Sequence, residues 1–318
     1  MIETIRRRHL VTHCDYNYLP RALVLIQSIA KNSSDYLVVL VCHDEKSFLI
    51  MEERAIQNVK LIKLSEIEGY FEELSNKKLL IEPLEYIFLI TPFIIKFCLE
   101  AFSLENIAYV DSDICFFNKI DSIFDEVQYS DVGITSHNFP SNLNHLAVNG
   151  KFNVGVVFFR NTDNGNRILS WWADRCLEST SIESDSPDVF GDQKYLDLFS
   201  RIYPDTHVYK NLGINAAPWN CHDVTLDKNG RVYVKGNELI CFHFSGLKAS
   251  GKKFIAGYHR YNVRPKATIK SSIYLPYVRQ LYATNENLNI KGDYLKPRIK
   301  IISWIRALLF SDFLFISK

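Results

Sequence analysis

Two carboxylates stand two positions apart in Tyr109-Val110-Asp111-Ser112-Asp113, directly after a short apolar run, Ile107 to Val110, that reads as a central strand. Open α/β sheets bind their ligands outside the carboxyl ends of such strands. A hard divalent cation, Mn²⁺ or Mg²⁺, takes carboxylate oxygens and leaves its other positions to water and substrate phosphates, so few protein ligands suffice. Read alone, the same pair is also a solvated turn or a helix cap.

The elements needed to position the pair alternate along the chain. His9 to Cys14 is a short β-type run, and Leu19 to Ala30 has helical spacing through Leu19, Leu23, Ile26 and Ile29. Leu37 to Cys42 reads as a strand, Ser47 to Gln57 as a helix and Val59 to Leu64 as a strand. This alternation predicts an α/β fold: a mostly parallel sheet with helices on both faces. Leu84 to Phe102 is long and apolar, but Pro92, Lys96 and Glu100 interrupt it, and it reads as a buried helix rather than a membrane span. Val132 to Ser136 and Asn153 to Phe159 are further strands, Trp171 and Trp172 fall on a helix, and Ser179 to Asp188 is a polar loop. A hairpin is expected around Asp227-Lys228-Asn229-Gly230, then a strand from Leu239 to Phe244.

Composition narrows the function classes. With 318 residues and 47% hydrophobic content, the chain can bury a large core without disulfides. Lys and Arg total 37 against 36 for Asp and Glu, so no global field draws nucleic acid, and none is expected as a partner. Seven cysteines, scattered and never spaced as C-x-x-C, fit neither a disulfide framework nor a zinc cage and point to a reducing, cytoplasmic compartment. The apolar residues after Arg6, Arg7 and Arg8 are too few for a signal peptide.

Further stretches agree in order with one known pattern. Thr12-His13-Cys14-Asp15-Tyr16-Asn17-Tyr18, Thr91-Pro92-Phe93 through Lys96, Tyr109 to Asp113, and Phe152-Asn153-Val154-Gly155-Val156 come first. Gly191-Asp192-Gln193, Asn215-Ala216-Ala217-Pro218-Trp219-Asn220 and Phe242-His243-Phe244-Ser245-Gly246 follow. In these seven stretches the chain resembles the GT-A nucleotide-sugar transferases, close to the family 8 glycosyltransferases and their bacterial polysaccharide-making relatives. The resemblance covers about residues 9 to 248.

The resemblance implies roles. Thr12, Asp15, Asn17 and Tyr18 would hold the nucleoside, with Lys96 near the nucleotide. Asp111 and Asp113 would bind the cation, Ser112 lying between them, and His243 would complete that site. Asn153 and Gly155 would contact the donor sugar, and Asp192 and Gln193 would lie beside the reacting carbon. Trp219, Asn220 and Gly246 belong to the donor-binding stretches. A family lysine that binds diphosphate is unassigned here between Lys248, Lys252 and Lys253, because Lys248 to Lys253 reads KASGKK, with no K-P-W ending. Each residue also has a plain structural reading: His243 and Trp219 as core, Asn153 and Gly155 as a bulge, Asp192 as a helix cap, Asp15 and Asn17 as caps of the Leu19 helix.

The activity so implied is hexose transfer from a nucleotide-diphosphate sugar, UDP-glucose or UDP-galactose, to a saccharide or lipid-linked acceptor in surface polysaccharide synthesis. Family 8 enzymes retain anomeric configuration, so retention is expected; inversion would need one carboxylate base, for which Asp188, Asp192 and Asp223 are candidates. A nucleotidyltransferase would also use paired carboxylates, but would show a Gly-rich phosphate loop near the N-terminus, and none appears. A silent carbohydrate-binding protein on the same fold is the third reading.

Residues 1–273 are expected to form the GT-A catalytic domain and 274–318 a helical appendage. Ile301, Ile302, Trp304, Ile305, Leu308, Leu309, Phe313 and Phe315 would fill the apolar face of one helix over 296–318. With Lys296, Arg298 and Lys300 beside it, the helix is expected to lie on an anionic membrane surface, at the inner face of the cytoplasmic membrane, without spanning it.

Overall fold

The computed structural model describes residues 7–184, 186–288 and 301–316. Five strands lead from the start of the chain to its middle: β1 (Arg8–Cys14), β2 (Tyr36–Cys42), β3 (Val59–Lys63), β4 (Asn106–Val110) and the short β5 (Ile114–Phe116). They are followed by β6 (Val132–Ser136), β7 (Phe152–Arg160) and β8 (His207–Val208). All but β5 form one sheet in the order β3-β2-β1-β4-β7-β6-β8. Within it β7 alone is reversed, antiparallel to both β4 and β6. The sheet is thus mostly parallel, as the alternation of elements implies.

Side chains alternate across the sheet because a strand's period is two. Val11, Val39, Val41, Ile107 and Tyr109 face one way, into a core with the helices Pro83–Ala101 and Asp163–Glu178. Leu10, Val38, Leu40, Ala108 and Val110 face the other, toward the helix Leu19–Asn32. The apolar segment expected to be a buried helix is the helix Pro83–Ala101. Pro92 inside it has no N–H to give the Phe88 carbonyl, so the ladder is interrupted beside the cleft described below.

A third core lies beyond the sheet. The strand Cys241–His243 runs antiparallel to β5, and Phe242 and Phe244 pack on Tyr274, with Phe244 also stacked on Tyr277. Tyr277, Val278 and Leu281 of the helix Leu275–Leu288 complete this cluster, so that helix is packed against the layer that carries His243. All seven cysteines are buried, and none forms a disulfide.

The end of the chain departs from the single helix expected over 296–318. The helix spans Ile301–Leu309, and Phe313–Phe315 is a strand, antiparallel to Lys253–Ile255. Ser311 takes a left-handed conformation with φ 51°, which ends the helical path, and Asp312 is fully buried. Its Oδ2 accepts hydrogen bonds from the backbone N–H groups of Gly257 and His259 at 3.0 Å each and from His259 Nδ1 at 2.6 Å. Phe313 and Phe315 therefore belong to a small sheet, while Lys296, Arg298 and Lys300 lie outside the described residues. Among the described residues, no helix is long and apolar enough to cross a membrane.

Candidate active site

At the carboxyl end of β4 the chain turns sharply: the Asp111 N–H bonds the Gly155 carbonyl at 3.0 Å, and the Ile114 N–H bonds the Asp111 carbonyl at 3.1 Å. The turn exposes both carboxylates and delivers β5, whose Ile114 is in register with His243. Residues more than a hundred positions apart in sequence are thereby brought together. His243 Nε2 lies 3.1 Å from Asp113 Oδ1 and 3.6 Å from Asp111 Oδ2. One ligand atom from each of the three residues fits within a 4.8 Å span. Two converging carboxylate oxygens and one imidazole nitrogen suit Mn²⁺ or Mg²⁺.

The imidazole is aimed by amides. Asn215, held at φ 58°, donates from Nδ2 to Thr135 Oγ1 at 2.8 Å and to Asn153 Oδ1 at 2.9 Å, which turns its own Oδ1 toward His243 Nδ1 at 3.2 Å. Asn153 Oδ1 also accepts from the Gly155 N–H at 2.9 Å, and Asn153 Nδ2 reaches Gln193 Oε1 at 3.4 Å. Gln193 Nε2 donates to the Asn149 carbonyl at 2.8 Å. An amide has distinct donor and acceptor ends, so this chain has one direction, and it leaves the hydrogen on Nδ1 of His243 and Nε2 facing the carboxylates. A β-carbon at Gly155 would lie 2.6 Å from both Asn153 Oδ1 and His243 Nδ1 and 2.8 Å from Asn215 Oδ1. Only glycine leaves room for these three groups to meet.

Charge balance follows from burial and proximity. For His243, burial acts to lower the pKa, but Asp113 and Asp111 together carry it above the usual value. For Asp113, burial acts upward, yet the charge and hydrogen bond of His243 bring the carboxyl below its usual range; Asp111 stays raised by its burial. The 3.1 Å contact between Asp113 and His243 is the one a cation would replace. Asp192 is 4% exposed, and burial, then the nearby Asp111 charge, push its carboxyl up to about 8.

These groups line an open cleft of about 370 Å³. Of the residues expected from sequence, Asp15, Tyr18, Asp111, Ser112, Asp113, Asn153, Asp192, Gln193 and His243 line it. Others stand apart. Thr12 is buried in β1 with no partner for its hydroxyl among the described residues, and Asn17 is exposed and donates to Asp15. Lys96 holds its ammonium 5.5 Å from the Phe71 ring centroid, outside the cleft lining. Trp219 packs its edge against the His243 ring at 5.3 Å, and Asn220 ties the Ala217 N–H to the His137 carbonyl, so both lie behind the cleft wall. Gly246, at φ 75°, sits under the Arg260 guanidinium, and Lys248 pairs with Ile255 in the small sheet. Lys252 lies over the Tyr282 ring and Lys253 pairs with Phe315.

The cleft also contains residues to which the sequence assigned no role. Leu84, Ile87, Phe88 and Thr91 form one wall at helical spacing, and His13, His43 and Tyr109 form another. Asn215, inside a recognised stretch, carries a function that its residue type alone does not announce.

Two outcomes are expected. Gly155→Ala should fold yet bind Mn²⁺ about 10- to 100-fold more weakly by calorimetry, because the new methyl displaces His243 or its amide support. For Asp192, the folded pKa of about 8 exceeds the unfolded value of about 4, so the native state binds more protons between those limits and stability falls as pH rises through the window. Asp192→Asn removes that slope. In chelator, its melting temperature should match wild type near pH 5 and exceed it by roughly 3–6 °C near pH 9.

No protein-family profile matches the chain. Two uncharacterized proteins of Bacillus subtilis (strain 168) are similar in sequence. YfnD is 28% identical over 277 residues, covering 86% of this chain and 88% of that protein, and YfnF is 27% identical over 274 residues, covering 83% and 86%. Among solved structures, mouse xyloside xylosyltransferase 1 in its apo form superposes with a TM-score of 0.50 at 12% identity, over 76% of this chain and 98% of that one. The seven-stranded sheet and its flanking helices have the GT-A fold, and the C-terminal helix is added to it.

Proposed function

We propose that the chain transfers a hexose from a nucleotide-diphosphate sugar, UDP-glucose or UDP-galactose, to a saccharide or lipid-linked acceptor in surface polysaccharide synthesis, with Mn²⁺ or Mg²⁺ at Asp111, Asp113 and His243. The observation that carries this reading is the convergence of those three residues in an open cleft at the end of β4. A cation bound there acts as a Lewis acid toward the departing diphosphate. The protein's own share is position: the amide chain from Asn149 to His243 fixes Asn153 and Gln193 before any substrate arrives. Asp15 and Tyr18, proposed to hold the nucleoside, and Asp192 and Gln193, proposed to lie beside the sugar, all line the cleft.

Retention of configuration fits the charge state of Asp192. An inverting transferase needs an ionised carboxylate as base, whereas the burial of Asp192 disfavours its charged form. Of the other candidates, Asp188 is exposed on the polar loop and Asp223 is paired with Lys266.

The purified protein should release nucleoside diphosphate from one donor of a panel only when Mn²⁺ or Mg²⁺ is supplied. Asp113→Ala should cut that rate by about 100-fold or more with the fold intact. Undiminished turnover in chelator would reject the cation, and no release from any donor would reject the transferase reading.

Association with an anionic membrane surface rests on the helix Ile301–Leu309. Ile302 is 70% exposed and Leu308 66%, beside Ile305, Leu309 and Phe315. Asp312 anchors the following strand in the protein, so point changes test this surface better than truncation. Ile302→Ser combined with Leu308→Ser should abolish sedimentation with phosphatidylglycerol vesicles and leave donor hydrolysis unchanged. A variant that loses self-association instead would assign the face to a second copy of the chain.

A further inference from the structure

One wall of the cleft holds a row of polar groups that the proposed chemistry leaves without a task. His43 Nε2 lies 2.8 Å from His13 Nδ1, and the two rings stack with centroids 4.9 Å apart. His13 Nε2 lies 3.0 Å from Tyr109 Oη, and Tyr109 donates to Asp111 Oδ1 at 2.7 Å. A phenol has a single proton. Since Tyr109 gives it to Asp111, it must accept from His13, whose hydrogen is therefore on Nε2. His13 Nδ1 is then an acceptor, and His43 Nε2 is its donor. Burial keeps both imidazoles below the usual histidine range, in keeping with one hydrogen on each ring. The bonds run one way, from His43 through His13 and Tyr109 to Asp111.

The consequence falls on one carboxylate. Oδ1 of Asp111 is occupied by the phenol, while Oδ2 faces His243 Nε2 at 3.6 Å. We infer that His13 and Tyr109 are positioning residues for the cation: by holding Asp111 Oδ1 they present Oδ2 alone to the centre. This rests on the reading of Asp111, Asp113 and His243 as ligands. Asn215 does the corresponding work for His243, so two of the three ligand side chains are each aimed by a separate array. Partners of this kind, bonded to ligands rather than to the ion, typically change metal affinity by about 10- to 100-fold.

The test is a calorimetric titration of Mn²⁺ alone into the full-length protein and four variants, with melting temperatures measured alongside. His13→Leu fills the space without a donor, whereas His13→Gln keeps a donor for Tyr109 and an acceptor for His43. Tyr109→Phe removes only the hydroxyl. His13→Leu and Tyr109→Phe should each weaken Mn²⁺ by about 10- to 100-fold, with His13→Gln restoring most of the loss. The double variant His13→Leu/Tyr109→Phe should lose no more than either single change, because His13 acts only through Tyr109. If His13→Leu fails to fold, Tyr109→Phe and His13→Gln carry the same comparison. Mn²⁺ affinity equal to wild type in folded His13→Leu or Tyr109→Phe, or losses that add in the double variant, would overturn the inference. A wild-type protein that takes up no Mn²⁺ would overturn the ligand reading, and this inference with it.

Discussion

Two carboxylates within 4.8 Å of one another in a recessed cleft repel, and the surrounding structure is organised by how that repulsion is met. Without a cation the balance comes from His243, 3.1 Å from Asp113, and from the Tyr109 hydroxyl on Asp111. The two partners arrive by different routes. Tyr109 comes from the same strand, pointing to the same side as Asp111. His243 arrives through the pairing of Cys241–His243 with β5, and that pairing is held from behind by the third core, where Phe242 and Phe244 meet Tyr274. Packing far from the cleft therefore sets the position of a ligand atom inside it.

Much of this was legible in the sequence, for definite reasons. The apolar run of β4 and the carboxylates that follow it name both an element and its functional end, because ligand sites in such sheets gather at strand carboxyl ends. Asp111, Asp113 and His243, read from two separate stretches, do converge. The amide chain was less legible. Asn153, Gln193 and Asn215 were inside recognised stretches, but which end of each amide bonds which partner depends on contacts between residues 28 to 80 positions apart. The pair of His13 and His43 is of the same kind: neither residue type nor local spacing distinguishes it from two core histidines.

Helical phase explains another difference. Leu84, Ile87, Phe88 and Thr91 follow one another at the spacing of a single helix face, and that face borders the cleft. Lys96, five positions after Thr91, is turned by about 140° around the axis and meets Phe71 instead. At the chain's end a similar effect separates helix from strand. Phe313-Leu314-Phe315 alternates, with Leu314 buried and Phe315 exposed, which is the period of a strand, whereas amphipathic composition alone suggested a continued helix.

The space kept open at Gly155 bears on how this site can change over generations. Asn153, Asn215 and His243 interlock around a position that accepts no side chain, and a substitution at Asn215 takes a hydrogen-bond partner from both of the others. Drift by single steps is closed there, and the centre is inherited as a block. The wall of Leu84, Ile87 and Phe88 is under no such restriction, since its apolar side chains have no hydrogen-bond partners to lose. Variation among descendants of this chain would gather on that wall, changing the lining of the cleft while its centre is preserved.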